Sequence, residues 1–311
     1  MKKLIKIPIV LICLVAIGIG TFIGAVNIRG NYDDYILPNG FEESIKNSDS
    51  SRDENTYARI MSSNLLVNYE SWGGTDARRR AKMFNMVLDT YKPDVVALQE
   101  MSDQWYCCLT KNRGSYKLVY PLSSGMLVHM TGLMYNSDSV TMLDYGRMEY
   151  SQGDNPRLRR IVWGLFEDNE TKKQYIVTST HFDLIREGKE RDELRVMNTQ
   201  AQEQLTLIEE LQNRFDCPVF SCGDFNAMDN GGYNNEYFAP SVYNTLADTL
   251  TDTKYVAQLK THGDERDTDA PTFDHIFLNG NATISRYAIL SDTVMQQMSD
   301  HYPIFADVSD V

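Results

Sequence analysis

The segment Pro218-Val219-Phe220-Ser221-Cys222-Gly223-Asp224-Phe225-Asn226 decides the fold class. Residues 218–222 are a short apolar run of the length and β-branched character expected of a buried strand. Gly-Asp-x-Asn follows, a turn that leaves a carboxylate and a carboxamide where the strand stops. Outward along the chain the same construction recurs. Val95 to Leu98 is followed by Gln99-Glu100, and Tyr175 to Thr180 by His181-Phe182-Asp183. The run Phe273 to Leu278 contains Asp274 and His275. Arg59 to Ser63 leads into Asn64, and Ser299-Asp300-His301-Tyr302-Pro303 stands near the end of the chain. Gly132 to Tyr135 and Arg160 to Phe166 supply two further strand candidates.

Two segments have helical period. Residues 76–90 begin at Thr75 and Asp76, both capable of capping, and place Ala81, Phe84, Val87 and Leu88 on one face. Residues 191–214 place Leu194, Met197, Ala201, Leu205, Ile208 and Leu211 on one stripe. Arg78, Arg79, Arg80 and Lys82 read as the solvated side of the first helix. Strands outnumber helices, and the helices separate groups of strands, which predicts sheets covered by helices.

Taken singly, each polar strand end is ordinary. A Glu after a strand marks where the chain meets water, and Gly-Asp-x-Asn is a common turn. Taken together they carry more, because sheet enzymes assemble their chemistry from several strand ends. The side chains offered are carboxylates, carboxamides and imidazoles, a set that suits Mg2+, Mn2+ or Ca2+ better than zinc. The chain has no CxxC pair, so a zinc ribbon is not indicated.

Asn64, Leu98-Gln99-Glu100, Thr180-His181-Phe182-Asp183, Gly223-Asp224-Phe225-Asn226, Phe273-Asp274-His275-Ile276-Phe277 and Ser299-Asp300-His301-Tyr302-Pro303 occur in the chain order of the endonuclease/exonuclease/phosphatase superfamily. The chain resembles that superfamily, the deoxyribonuclease-I-like fold, over residues 57–311. The resemblance implies an α/β fold, a two-sheet, four-layer sandwich, and hydrolysis of phosphoesters with a divalent metal, Mg2+ foremost and Mn2+ or Ca2+ as alternatives. It also implies roles. Glu100 is the principal metal ligand, with Asn64 and Asp300 completing that site directly or through water. Asp224 and Asn226 orient water and phosphate, or hold a second metal. His301 pairs with Asp274, and His181 binds or protonates a phosphate oxygen. Asp183 is expected either to support His181 or to line the site. Arg157, Arg159 and Arg160, at the start of a strand, are candidates for gripping phosphate. His275 is expected to point away from the site by strand alternation. No acid stands between Gly125 and Tyr135 to support the acid histidine, although His129 lies there.

Charge and the N-terminus bound the substrate question. The 311 residues carry 43 acids against 30 bases, a net charge of −13. Such a chain is a poor non-specific binder of polyanions. Residues 7–26 form an uncharged apolar run behind Lys2, Lys3 and Lys6. Twenty helical residues span about 30 Å, the thickness of a bilayer core. Residues 1–26 are therefore expected to be a membrane anchor with a cytoplasmic N-terminus, the alternative being a cleaved signal. Without those three lysines the remainder carries about −16 by side-chain count. Residues 27–56 are polar and acidic and read as a linker, and 57–311 as one catalytic domain acting outside the cytoplasm. The expected substrate is a phosphoester: nucleic acid, a phospholipid as for a sphingomyelinase, or a sugar or inositol phosphate. The nuclease or general phosphodiesterase reading leads. No obligate protein partner is expected. The alternatives of another class are an inactive binding module and a calcium-stabilised structural domain.

Overall fold

Apolar residues on both faces of the central strands leave them no solvent side, and the chain responds by stacking two sheets between layers of helix. The computed structural model describes residues 23–24, 26–67, 76–119, 131–153, 159–229 and 238–310. The first sheet contains β1 (Thr56–Asn64), β2 (Val95–Gln99), β3 (Tyr116–Val119), β4 (Thr131–Asn136), β10 (Leu259–His262), β12 (Thr283–Ile289) and β13 (Ile304–Ser309), in the order β10-β12-β13-β1-β2-β4-β3. The second contains β5 (Val140–Glu149), β6 (Arg160–Asp168), β7 (Gln174–His181), β8 (Val219–Asp224), β9 (Thr251–Asp252) and β11 (Asp274–Asn279), in the order β5-β6-β7-β8-β11-β9.

Strand β2 shows how the layers arise. Val95 and Ala97 face inward and join Ile60, Val177, Phe220 and Ile276 in the core between the sheets. Val96 and Leu98 face the other way, where α2 (Ala77–Tyr91) brings Phe84, Val87 and Leu88, and α3 (Asp103–Asn112) brings Trp105 and Leu109. The period-2 alternation of a strand thus feeds two cores at once. On the opposite side α4 (Glu190–Phe215) and α5 (Pro240–Ala247) cover Ile176, Val219 and Phe277 with Met197, Ala201, Ile208, Leu211, Val242 and Leu246. The result is the expected four-layer sandwich.

Residues 27–56, whose composition reads as a linker, are packed on the domain. Helix α1 (Phe41–Asn47) buries Phe41 and Ile45, spaced i and i+4, in the first outer core. Arg29 pairs with Asp103 at 2.7 Å, and Asn112 donates to the Gly30 carbonyl at 2.8 Å. Among the described residues no helix is long and apolar enough to cross a membrane. Residues 7–22 and Ala25 of the expected anchor lie outside them, as do His129 and Arg157. The expectation of a solvated basic face on α2 fails at one position. Arg80 is fully buried while its neighbours Arg78 and Arg79 are partly exposed. The physical reason is its place on the apolar stripe, four residues before Phe84 and seven before Val87.

A buried ion pair joins the neighbouring interior strands β1 and β13. Arg59 donates through Nε to Asp307 Oδ1 at 2.6 Å and through Nη2 to Oδ2 at 2.7 Å. Its remaining donors reach the carbonyls of Ser50, Ser51 and Tyr91. Asp307→Ala should destabilise the protein by about 3–5 kcal/mol, because it leaves a buried guanidinium without its counter-charge. Equilibrium urea unfolding checks this, and a loss under about 1 kcal/mol would show that the carbonyls alone satisfy Arg59.

Candidate active site

Strand register assembles the site. Parallel pairing of β7 with β8 sets His181 beside Asp224, and antiparallel pairing of β8 with β11 sets Asp274 on the other side of Asp224. Three adjacent strand ends therefore present His, Asp and Asp in a row. In the other sheet, parallel pairing of β1 with β2 sets Asn64 beside Gln99, one residue before Glu100. The segment 299–301 lies just before β13, which pairs with β1. Gly223 keeps the first row tight. A Cβ there would lie 2.3 Å from the Thr180 carbonyl oxygen, so a larger residue would push β8 from β7 and separate His181 from Asp224.

Side-chain bonds join the two rows. The Asn64 carboxamide donates through Nδ2 to Asp224 Oδ2 at 3.0 Å and to Glu100 Oε1 at 3.2 Å. Its Oδ1 accepts from Leu66 N at 3.0 Å, and Val67 N donates to Glu100 Oε2 at 3.0 Å. The Ser299 hydroxyl donates to the Asn64 carbonyl at 2.7 Å, which brings in the segment carrying Asp300, an exposed side chain. Leu66, Glu100 and Asn226 have left-handed backbone, with φ of 55°, 55° and 47°. Such conformations cost a non-glycine residue roughly 1–3 kcal/mol and persist where surrounding bonds over-determine them.

Asp224 is the centre of charge. Its Oδ1 accepts from Asn226 N at 2.9 Å, and its Oδ2 lies 3.4 Å from His181 Nε2 and 3.7 Å from His301 Nε2. Burial pushes its carboxyl up to about 6. His301 Nδ1 is 2.7 Å from Asp274 Oδ2. Burial opposes charge on His301, but Asp274 and then Asp224 outweigh it and hold its pKa well above the usual histidine value. His181 goes the other way. Burial, then Arg159 and His301, hold it well below, so it is neutral.

The remaining expected residues fall as follows. Asn226 donates through Nδ2 to the Phe182 carbonyl at 3.0 Å, tying the turn after β8 to the end of β7. Asp183 is buried and bonded to Gln200 at 3.2 Å, with Arg159 Nε 3.3 Å away. It is therefore engaged with Arg159 and Gln200. Arg160 is buried in β6 opposite Glu149. His275 does point away. Its Nδ1 lies 3.0 Å from Asp252 Oδ2 and its Nε2 3.0 Å from the Ala227 carbonyl. Both partners are acceptors, so the ring carries two protons. Beside it Lys254 pairs with Asp229 at 2.5 Å, and Asp229 also accepts from Thr272 N at 2.9 Å. This buried network fastens the turn after β8 to the approach to β11. Sequence reading missed it, since Asp229, Asp252 and Lys254 stand in no motif.

Two groupings fit a divalent cation by donor chemistry. Ligand atoms of Asp224, Asp274 and His301 lie within 4.8 Å of one another, and Asp274 Oδ1 is buried without a hydrogen-bond partner. Glu100, by contrast, has one donor on each oxygen and is partly open to solvent, and the Asp300 carboxylate is exposed. All of these donors are hard oxygen or imidazole. Of Asp274, Oδ2 is taken by His301 and Oδ1 is buried, whereas Glu100 is partly open to solvent, where a hydrated ion can reach it.

Comparison with known proteins identifies the family and the fold. A sequence model described as the Endonuclease/Exonuclease/phosphatase family matches residues 61–301. The fold is similar to an endonuclease/exonuclease/phosphatase of Bacteroides vulgatus, with a TM-score of 0.65 and 18% identity over 82% of this chain and 99% of that one. It is similar to a mannosyl-6-phosphatase of Bacteroides thetaiotaomicron, with a TM-score of 0.60 and 18% identity over 81% and 99%. It also resembles D. rerio TDP2 in complex with a single-strand DNA product, with a TM-score of 0.58 and 17% identity over 81% and 98%. No curated protein matches the sequence.

A cation held at Glu100 should stabilise the fold by mass action, about 2.7 kcal/mol at a hundredfold excess over its dissociation constant. Thermal unfolding with and without Mn2+ reads this. The wild type should melt higher with the ion and Glu100→Gln should lose most of the increase. Equal responses in the two proteins would place the ion elsewhere.

Proposed function

This chain belongs to the endonuclease/exonuclease/phosphatase family, and from that premise we propose that it is a phosphodiesterase, with Mg2+ as its ion. The family's members are divalent-metal-dependent phosphoester hydrolases, so the coarse activity follows from membership. The observation that carries the finer reading is the disposition around Asp224, with a neutral His181 at 3.4 Å on one side and a cationic His301 at 3.7 Å on the other.

A bound divalent ion supplies positive charge to a phosphate oxygen and acidifies water. Glu100, Asn64 and Asp300 would hold it. Asp224 accepts the proton of the attacking water. Its raised carboxyl is a stronger base than an exposed one and is still ionised at neutral pH. His301, fixed through Nδ1 by Asp274, presents Nε2–H to the phosphoryl oxygens as negative charge develops there. His181 offers a neutral imidazole for hydrogen bonding to phosphate or leaving group. Asn226, set by its bonds to Asp224 and Phe182, orients the same groups.

Charge matching supports a diester. Of the basic residues suggested by sequence for gripping phosphate, Arg159 is engaged with Asp183, Arg160 is buried, and Arg157 lies outside the described residues. A singly charged diester needs less positive charge than a doubly charged monoester. Phospholipid and nucleic-acid diesters both meet this condition. The apolar run at 7–26 behind three lysines supports tethering to a membrane with the domain outside the cytoplasm.

The protein should hydrolyse bis(p-nitrophenyl) phosphate with Mg2+ or Mn2+ and lose that activity in chelator. A panel of plasmid DNA, sphingomyelin vesicles and phosphoinositides then ranks the natural classes. His301→Ala and Glu100→Ala should each lower kcat/KM by about a thousandfold or more, as for groups that act as one unit. Activity surviving both changes would overturn the site, and preference for monoesters would overturn the diester reading.

A further inference from the structure

Arg80 is the most unusual cation of the molecule. It lies in the first turn of α2, where the helix dipole disfavours positive charge. It is fully buried, and no carboxylate is among its hydrogen-bond partners in the described residues. Its guanidinium instead donates to four main-chain carbonyls. Nη1 reaches Leu65 O at 2.7 Å, Leu66 O at 3.1 Å and Met298 O at 3.3 Å, and Nη2 reaches Val67 O at 3.0 Å. The Trp105 ring lies over it, with its centroid 5.3 Å from Cζ, and Trp105 Nε1 donates to the same Leu66 carbonyl at 2.8 Å.

Those carbonyls belong to the two segments that set the Glu100 end of the site. Leu66 N holds Asn64 Oδ1 and Val67 N holds Glu100 Oε2. Met298 precedes Ser299, whose hydroxyl bonds the Asn64 carbonyl, and Asp300 follows. Burial pushes the Arg80 guanidinium down to about 10, with the charges of Asp300, Asp76 and Glu100 opposing that fall. It therefore stays charged at neutral pH. A lysine would present its donors from one point and could not spread them over two chain segments as a planar fork does.

We propose that Arg80 is a positioning residue for the metal site: by binding the carbonyls of residues 65–67 and of Met298, it fixes the settings of Asn64, Glu100 and Asp300. The proposal rests on the metal reading above, so its test includes a measurement that does not need the metal. Amide hydrogen exchange in the full-length protein should rise in Arg80→Gln within peptides covering 64–67 and 298–301, with the sheets elsewhere unchanged. Mn2+ titration followed by the free-ion paramagnetic signal should show affinity falling about tenfold in Arg80→Lys and further in Arg80→Gln, the range for groups that orient metal ligands. Guanidinium at millimolar concentration should restore part of the affinity of Arg80→Ala, whereas sodium chloride of equal ionic strength should not. If the Arg80 variants do not fold, Trp105→Phe takes their place. It removes one hydrogen bond to Leu66 O and keeps an aromatic ring, and should weaken Mn2+ binding about threefold. A folded Arg80→Gln, or in its place Trp105→Phe, with wild-type exchange and affinity would overturn the proposal, as would exchange that rises uniformly through the protein. A wild type that binds no Mn2+ would overturn the metal reading alone, leaving local exchange to decide the role of Arg80.

Discussion

Two side chains connect the two halves of the site, Asn64 and His301. Asn64 ends a strand of the first sheet, yet its Nδ2 bonds Asp224 at the end of a strand in the second, and Glu100 beside it. Between the sheets the contact is mainly apolar, with Gln99 Nε2 donating to Ser179 Oγ and the Ser179 hydroxyl to the Leu98 carbonyl, both at 3.1 Å; apolar contact alone does not fix the polar atoms at the strand ends. Asn64 fixes them there, and it does so without adding charge between two carboxylates. An aspartate at that position would put a third negative group in the cluster unless an ion or proton compensated it.

The arrangement separates charge by environment. Glu100 and Asp300 are at least partly open to water, where a hydrated cation can reach them. Asp224, Asp274 and His181 are buried, and each settles its charge through a neighbour: Asp274 with His301, Asp224 between two imidazoles, His181 by remaining neutral. Further from the opening, Asp229, Lys254, Asp252 and His275 balance one another completely and lock the backbone that carries Asp224 and Asn226. The acidic chain thereby places a cationic His301 among its buried carboxylates, a local field unlike its net charge.

Much of this was legible in the sequence. The strands leading to Glu100, His181 and Asp224 are short apolar runs; parallel pairing of β7 with β8 brings His181 beside Asp224, and antiparallel β11 contributes Asp274 at its start. Asn64 and His301 were placed by the resemblance of their motifs to the superfamily, and the strand β13 after His301 was not among those expected. The edge strand β5 was not foreseen, because its alternate exposed residues dilute the apolar signal. Arg80 was hidden by Arg78 and Arg79, since three consecutive arginines look like a solvated face. Its spacing to Phe84 and Val87 was the signal available. The packing of residues 27–56 was masked in the same way by polar composition, although Phe41 and Ile45 stand one helical turn apart. The pairing of Asp183 with Arg159 had no signal, because it depends on where α4 and the start of β6 meet in space.

We propose that a divalent ion sits at Glu100, beside and not within the Asp224, Asp274 and His301 group. Anomalous diffraction from crystals soaked in Mn2+ tests it directly. A peak is expected at coordination distance from a Glu100 carboxylate oxygen, with Asn64 and Asp300 reached directly or through water, and with the His301–Asp274 bond intact. A peak confined to Asp224, Asp274 and His301, with none at Glu100, would contradict it.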